Sequence, residues 1–151
     1  MTSQPDFHTL DRAECEALLL TQQVGRLAFT FRDRVDIEPI HYVYRDGCVY
    51  GRTQYGTKVD VLAHHPWVAF EVDAIAALFA WRSVVVHGRI EFPDPAGTPT
   101  EVAAYARAVA AFRTLVPGAF SDDDPTPARG LAFVIPVQEM TGRAATVGGT
   151  G

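Results

Sequence analysis

The chain has little positive charge and few cysteines. Asp and Glu outnumber Lys and Arg by 18 to 13 in 151 residues, which gives a formal net charge of −5. Nucleic acids and anionic membranes bind a concentrated positive field, so this composition argues against a broad surface for either partner but allows a local basic pocket. Cys15 and Cys48 show no CxxC or metal-ligand spacing. We interpret both as buried thiols in a reducing compartment, with a structural disulfide as the alternative.

Long apolar segments are also missing. The longest uninterrupted apolar run, residues 74–81, is too short to span a bilayer. The N-terminal residues contain no basic region followed by an apolar core, so we expect no secretory signal and a cytoplasmic protein. With 48% apolar and 21% charged residues, the sequence predicts one globular domain over residues 1–151, with 1–9 and 146–151 frayed.

The sequence lacks the residue sets that several classes of enzyme require. No Ser/His/Asp or Cys/His set indicates covalent hydrolysis. His64 and His65 resemble a metal pair, but adjacent histidines point in different directions and no carboxylate follows at ligand spacing, so we expect no metal site. Glu71 and Asp73 share one face of a predicted strand, yet nothing in the sequence raises the pKa of either. The catalytic residues are therefore left unassigned.

The pattern of apolar and turn residues predicts a mainly β protein. Capping boxes predict helices from Asp11 to about Gln22 and from Thr98 to about Val116, and a short third helix covers 59–64. Strands are predicted at 24–31, 35–44, 49–53, 67–73, 81–92 and 131–140, with 73–80 as a loop or helical turn. Six antiparallel strands in hairpin order would leave exposed edges, which a barrel with helices at its ends removes.

The segment Thr53-Gln54-Tyr55-Gly56-Thr57-Lys58 has the features of an anion site. It follows a strand that begins at the hairpin turn Asp46-Gly47 and precedes the short helix. The free N–H groups and dipole of a helix start favour negative charge, and Lys58 adds a full positive charge. The motif lacks the Walker spacing, so local chemistry alone leaves the phosphate interpretation open. Pro39 marks an edge, a bulge or an opened strand, where a planar ligand could reach the backbone.

Four segments together resemble the pyridoxamine 5'-phosphate oxidase-like split-barrel flavoproteins, in particular the short subgroup with nitroimidazole-resistance proteins. They are GRLAFTF, IEPIHYVYRDGCVYGRTQYGTKVDVLAHHPWVAFEVD, WRSVVVHGRIEF and IPVQEMTGRAA, within about residues 10–145. The resemblance implies a six-stranded antiparallel split β-barrel with about three helices. It also implies a homodimer with two flavin mononucleotide (FMN) sites at the subunit interface.

The resemblance also implies which residues contact the cofactor. The phosphate would contact Arg52, Thr53 and Lys58, with Gly56 and Thr57 offering further donors. The strand along the isoalloxazine ring would supply Pro39, Ile40 and His41. Two residues, Trp81 and Ser83, would face the cofactor from the partner chain.

The implied function is flavin-mediated hydride or electron transfer to a small molecule. Two alternatives stay open: a deazaflavin-dependent reductase, and a non-catalytic module that binds or senses flavin or haem. The oxidase that gives the family its name is longer and ends in a basic C-terminal motif, whereas this chain ends in GGTG, so we do not expect oxidation of vitamin B6. The sequence identifies neither the substrate nor the electron donor.

Overall fold

The computed structural model describes residues 4–148, which form an eight-stranded antiparallel sheet and three helices. The strands are β1 (Pro5–Leu10), β2 (Val24–Phe31), β3 (Arg34–His41), β4 (Val43–Arg45), β5 (Cys48–Thr53), β6 (Trp67–Ala77), β7 (Ala80–Arg89) and β8 (Leu131–Val147). The helices are α1 (Arg12–Thr21), α2 (Thr57–His64) and α3 (Pro99–Phe112).

The sheet curls into a barrel that stays open along one line. Its strands follow the order β3-β2-β6-β7-β8-β5-β4, and β1 pairs with the far half of β8. The end strands β3 and β4 are consecutive in the chain and are joined through Tyr42. The backbone N–H of Tyr42 donates to the carbonyl of Gln23 at 3.0 Å, one position beyond the last β2–β3 pair, Val24 opposite His41. The split-barrel fold expected from the sequence is therefore confirmed.

The core fills the barrel with alternate side chains of the strands. Phe70, Val72, Val84, Val86 and Ile135 are fully buried. The ring of Tyr42 packs edge-on against Phe70 with centroids 5.0 Å apart, and its hydroxyl donates to the carbonyl of Leu19 in α1 at 2.6 Å. Tyr42 therefore turns inward where the strand predicted at 35–44 breaks into β3 and β4.

Two glycines allow aromatic rings to lie flat against the backbone. A Cβ at Gly25 would lie 2.2 Å from Cζ of Phe70, and one at Gly51 would lie 2.3 Å from Cζ of Phe133. Because real Cβ atoms do not approach that closely, any larger residue would have to displace the ring. The contact at Gly51 fixes the backbone of β5 directly before Arg52.

Several predicted strand boundaries were wrong. Residues 5–9 and 146–147, expected to be frayed, pair with each other as β1 and β8, from Pro5 opposite Val147 to Leu10 opposite Gly142. Residues 73–80 are not a loop or helical turn, because β6 continues to Ala77 and a tight turn leads directly into β7. The added strand β1 and the break at Tyr42 raise the strand count from six to eight. Residues 1–3 and 149–151, also expected to be frayed, lie outside the described residues.

Other expectations concern termini of elements and the thiols. The Asp46-Gly47 turn is confirmed, with φ of 50° and 76°, and both capping boxes are present. The last helix ends at Phe112, before the predicted 116. Both cysteines are free thiols, so the disulfide alternative was wrong. Within residues 4–148, no helix combines the length and apolar character needed to cross a bilayer.

Candidate functional site

The turn between β5 and α2 is held in place by the sheet. All six residues of β5 pair with β8, from Cys48 opposite Pro136 to Thr53 opposite Leu131. The positive φ angles of Asp46 and Gly47 close the hairpin that delivers the chain into β5. The strand therefore ends at a fixed point, and the loop of residues 54–56 carries the chain directly to the start of α2.

The first turn of α2 presents unpaired N–H groups. Gly56 is the N-cap and supplies no side-chain cap; its carbonyl accepts from the N–H groups of Val59 and Asp60 at 3.1 and 3.4 Å. The N–H groups of Thr57 and Lys58 precede the first helical hydrogen bonds and have no acceptor inside the helix. A Cβ built on Gly56 would meet no atom within 4 Å. The helix start therefore faces open space and can accept an anion.

A cavity of about 320 Å³ lies at this helix start and extends to β3. We call it the first cavity. It is lined by Glu38, Pro39, Ile40, Arg52, Thr53, Gln54, Tyr55, Gly56, Thr57, Lys58 and Arg129. Most of the predicted cofactor-binding residues thus lie around one space, although they come from two segments of the chain that are separated by a hairpin. Their role in binding a cofactor stays a prediction.

The ammonium group in the first cavity already has a counterion. Lys58, the only lysine in the chain, donates from Nζ to Oε2 of Glu38 at 2.5 Å. The same Nζ lies 5.9 Å from the ring centroid of Phe29. The side chains of Lys58 and Glu38 are 23% and 43% exposed, so both can exchange partners without leaving a buried charge behind.

Arg52, which was expected to contact the cofactor phosphate, is paired with a carboxylate in this structure. Its guanidinium donates through Nη1 and Nη2 to the two carboxylate oxygens of Asp124 at 2.5 and 3.0 Å, and Nη2 also donates to Thr126 at 2.7 Å. The side chains of Arg52 and Asp124 are 5% and 3% exposed. The guanidinium holds the pKa of the Asp124 carboxyl well below its usual range. The fork expected to hold a phosphate is therefore occupied by a carboxylate.

The Arg52–Asp124 pair fixes the segment between α3 and β8, residues 113–130. The carboxylate of Asp124 also accepts from the backbone N–H groups of Phe120 and Thr126, both at 2.9 Å. The guanidinium carbon of Arg52 lies 5.0 Å from the ring centroid of Phe112 and 5.3 Å from that of Phe120. One buried cation therefore holds this long connection against the barrel.

Arg129, at the end of that segment, is the residue that sequence reasoning missed. It lines the first cavity and also an adjacent cavity of about 350 Å³, which we call the second cavity. The second cavity is lined by His41, Arg52, Phe112, Val116, Pro125, Thr126 and Arg129. Arg129 lies far along the chain from the other cavity residues and in no recognisable motif, so no local signal could have identified it. The predicted residue His41 faces the second cavity.

Trp81 and Ser83 lie elsewhere in the same chain. Trp81 pairs with Ile75 and Ala145 in the sheet, and Ser83 donates its hydroxyl hydrogen bond to Oε2 of Glu71 at 3.0 Å. Neither lines the first or second cavity. Trp81 and Ser83, which were expected to face the cofactor from a partner chain, therefore lie apart from the other predicted residues within one chain.

Glu71 is part of a charged cluster on that part of the sheet. Nη1 of Arg26 lies 3.4 Å from Oε1 of Glu71 and 3.2 Å from Oδ2 of Asp73. Burial, and then the hydrogen bond with Asp73, raise the pKa of Glu71. The expectation that nothing raises this pKa was wrong, because the neighbouring strands that bury the carboxyl are distant in sequence. Among residues 4–148, no three His, Cys, Asp or Glu side chains lie close enough together to hold a metal ion.

The chain and its fold match known proteins over most of their length. It is 29% identical over 147 residues to an uncharacterised protein of Rhizobium meliloti, covering 92% of this chain and 95% of the relative. An FAD-binding protein of Mesorhizobium loti has a similar structure, with a TM-score of 0.72 and 27% identity over 91% of this chain and 96% of that one.

A more distant structure shares the fold. A protein assigned to 5-nitroimidazole antibiotic resistance in Bacteroides thetaiotaomicron has a TM-score of 0.69 at 15% identity, over 96% of this chain and 90% of that one. The family model described as pyridoxamine 5'-phosphate oxidase matches residues 11–144. Because this match spans nearly the whole chain, the protein belongs to the pyridoxamine 5'-phosphate oxidase family.

Proposed function

We propose that the protein binds FMN, with the phosphate in the first cavity at the start of α2. The observation that carries this proposal is the donor set on that cavity wall. It combines uncapped backbone N–H groups, the hydroxyls of Thr53 and Thr57 and the ammonium of Lys58. A phosphomonoester carries about two negative charges at neutral pH and three strong acceptor oxygens, which matches such a set of donors.

The remaining walls are compatible with the rest of the cofactor. Gly56 leaves the space beside the helix start open, where a side chain would intrude. Pro39 and Ile40 offer an apolar strand surface along the same cavity, against which a planar ring can lie. Lys58 would exchange Glu38 for the phosphate, and Arg52 would hold the wall in place rather than bind the cofactor. The 27% identical protein from Mesorhizobium loti is described as FAD-binding, which supports a flavin and makes FAD the alternative to FMN.

A bound flavin would supply hydride or electron transfer, and we propose that the protein is an oxidoreductase for a small molecule. The chain would contribute orientation, exclusion of water and hydrogen bonds, so no dedicated acid or base is needed. Steady-state oxidation of a reduced nicotinamide, with a nitro compound or quinone as acceptor, would test this. A flavin-loaded protein that turns over no such pair would instead favour a binding or sensing role.

Flavin binding itself is tested by titration. Purified protein is expected to show flavin absorbance or to take up added FMN, and to bind FMN more tightly than riboflavin, which lacks the phosphate. Lys58→Gln should weaken FMN binding about tenfold and should leave riboflavin binding unchanged. Tenfold is at the lower end of the effect of losing a charge-assisted hydrogen bond, because Lys58 must give up its ion pair with Glu38 when it binds the phosphate. Arg45→Gln is the matched control, since Arg45 is exposed at the end of β4 and lines neither cavity. A colourless protein that takes up no FMN would refute the proposal.

We also propose a homodimer with the cofactor at the interface. Exposed apolar side chains support this: Val35 and Ile37 on β3 are 70% and 66% exposed, and Ile75 and Leu78 at the β6–β7 turn are 71% and 78% exposed. A second copy would cover these groups and could bring its Trp81 and Ser83 to the first cavity.

The dimer is tested by molar mass in solution. Light scattering should give twice the chain mass of 16.5 kDa. Ile37→Asp should produce monomers with weakened FMN binding, because a charge on an apolar interface must be desolvated without a partner. Val102→Asp, at an exposed apolar position on α3, is the control and should remain dimeric. A wild-type monomer that binds FMN fully would contradict the dimer and leave the flavin site standing.

A further inference from the structure

The second cavity has apolar and polar walls that suit a ligand, and most of these walls are not part of the proposed phosphate site. Its apolar surface comes from Phe112, Val116 and Pro125, and its polar surface from His41, Thr126 and the two arginines. It shares Arg52 and Arg129 with the first cavity, so the two spaces adjoin. A molecule in one cavity would therefore lie beside a molecule in the other.

The two arginines differ in whether a carboxylate neutralises the guanidinium. The guanidinium of Arg52 is buried against Asp124, which cancels its charge locally. The ion pairs found among residues 4–148 include none for Arg129, which is exposed. An arginine without a carboxylate beside an apolar wall offers a planar set of donors for a carboxylate or phosphate.

The backbone around Arg129 is held in position. Its own N–H donates to the carbonyl of Thr126 at 3.0 Å, and the hydroxyl of Thr126 accepts from Arg52 at 2.7 Å. The Arg52–Asp124 pair thus anchors the segment that carries Arg129. The backbone that carries Arg129, at the junction of the two cavities, is therefore held in place by the buried Arg52–Asp124 ion pair.

We propose that the second cavity is a subsite for a negatively charged group attached to an apolar or aromatic body, with Arg129 as the residue that binds the charge. The body would pack on Phe112, Val116 and Pro125, and His41 would lie on the same cavity wall. This inference rests on the proposed function in one respect, namely that the ligand would lie beside a flavin in the first cavity. The negative group can come from a separate acidic substrate or from the second phosphate of FAD.

The test uses benzoate, which pairs a carboxylate with an aromatic ring, and benzyl alcohol, which has a similar body without the charge. NMR titration of the full chain without flavin should show benzoate binding more tightly than benzyl alcohol. Arg129→Gln should weaken benzoate binding about tenfold and leave benzyl alcohol unchanged. Arg45→Gln, which removes an exposed arginine outside this cavity, should change neither.

A second pair of titrations identifies the source of the charge. If Arg129→Gln lowers the affinity for FAD about fivefold or more and leaves that for FMN unchanged, the second phosphate of the cofactor occupies the subsite. If the ratio of FAD to FMN affinity is unchanged and benzoate binding to FMN-loaded protein falls, a substrate occupies it. Both results support the anion subsite.

The inference is overturned if Arg129→Gln changes the affinities for benzoate and FAD by less than about twofold, or if the wild type binds neither. Failure of the flavin proposal has a different signature, because wild-type protein would then bind no FMN while the benzoate titration still reports on Arg129. Rescue of benzoate binding by Arg129→Lys would separate lost charge from disturbed folding, since Lys keeps the charge without the planar donor geometry.

Discussion

Replacing Glu38 with Gln is expected to tighten FMN binding and leave riboflavin binding unchanged. Oε2 of Glu38 accepts from Nζ of Lys58 at 2.5 Å, and both side chains line the first cavity. A phosphate that enters this cavity must displace the carboxylate from Lys58 or remain beside it, and either costs free energy. Gln keeps the shape and an acceptor oxygen for Lys58 but removes the negative charge that repels the phosphate.

The expected size of the effect follows from the exposure of the pair. Glu38 and Lys58 are 43% and 23% exposed, so water screens their attraction strongly. Ion pairs of this kind contribute about 0.2–1 kcal/mol, and the carboxylate–phosphate repulsion at a similar separation is of the same order. The affinity of Glu38→Gln for FMN should therefore rise about 1.5- to fivefold.

Quenching of flavin fluorescence measures the affinities for FMN and riboflavin under the same conditions. The advantage of Glu38→Gln should shrink with added salt, because the screening length falls from about 10 Å at 0.1 M to about 3 Å at 1 M. Glu139→Gln is the matched control, since Glu139 is 75% exposed on β8 and lines neither cavity. It should leave both affinities unchanged.

Two results would refute this reasoning about Glu38. Equal weakening of FMN and riboflavin would mean that the carboxylate contacts the ring or its ribityl chain. Weakening of FMN alone would mean that Glu38 holds Lys58 in the orientation that binds phosphate. In both cases the carboxylate supports the ligand and does not compete with it.

Two further predictions concern the structure that carries the site. Gly51→Ala should lower the free energy of unfolding by about 1–3 kcal/mol in thermal or urea denaturation, because its Cβ would lie 2.3 Å from Cζ of Phe133. Gly148→Ala is the control, since a Cβ there meets no atom and should leave the stability unchanged. Equal stability of both variants would contradict this packing. Arg52 lowers the pKa of Asp124 in the folded chain, so the pair stabilises the fold above the ordinary carboxyl pKa of about 4 and loses this contribution as pH falls further. The stability lost in Asp124→Asn should therefore be largest near neutral pH and shrink in acid, and a deficit independent of pH would argue against the ion pair.

The sequence was sufficient to predict the first cavity because its chemistry is mostly contiguous. Residues 53–58 supply the hydroxyls, glycine and lysine, and the preceding Asp46-Gly47 turn adopts the positive φ angles that its residue types predict. The split barrel followed from strand patterns and from motifs spread over the chain. These signals work because local backbone preferences and the global fold agree there.

The partners of the arginines could not be predicted, since they depend on contacts between distant parts of the chain. Asp124 lies 72 positions after Arg52, in a Pro- and Asp-rich stretch that indicates only a surface loop. Arg129 reaches the cavities only because that loop is held against the barrel. The tight turn between β6 and β7 was missed for another reason, because it contains Leu78 and Phe79 instead of turn-forming residues.

The single lysine at the helix start makes this cavity chemically addressable. Apart from the terminal amine, Lys58 is the one aliphatic amine in the chain, so reductive methylation with ¹³C-formaldehyde would introduce a single side-chain reporter group directly in the cavity wall. The chemical shift of its methyl carbons would respond to inorganic phosphate, to a nucleotide or to a swing of the facing carboxylate. The arrival of an anion could thus be followed by one resonance, without colour or turnover.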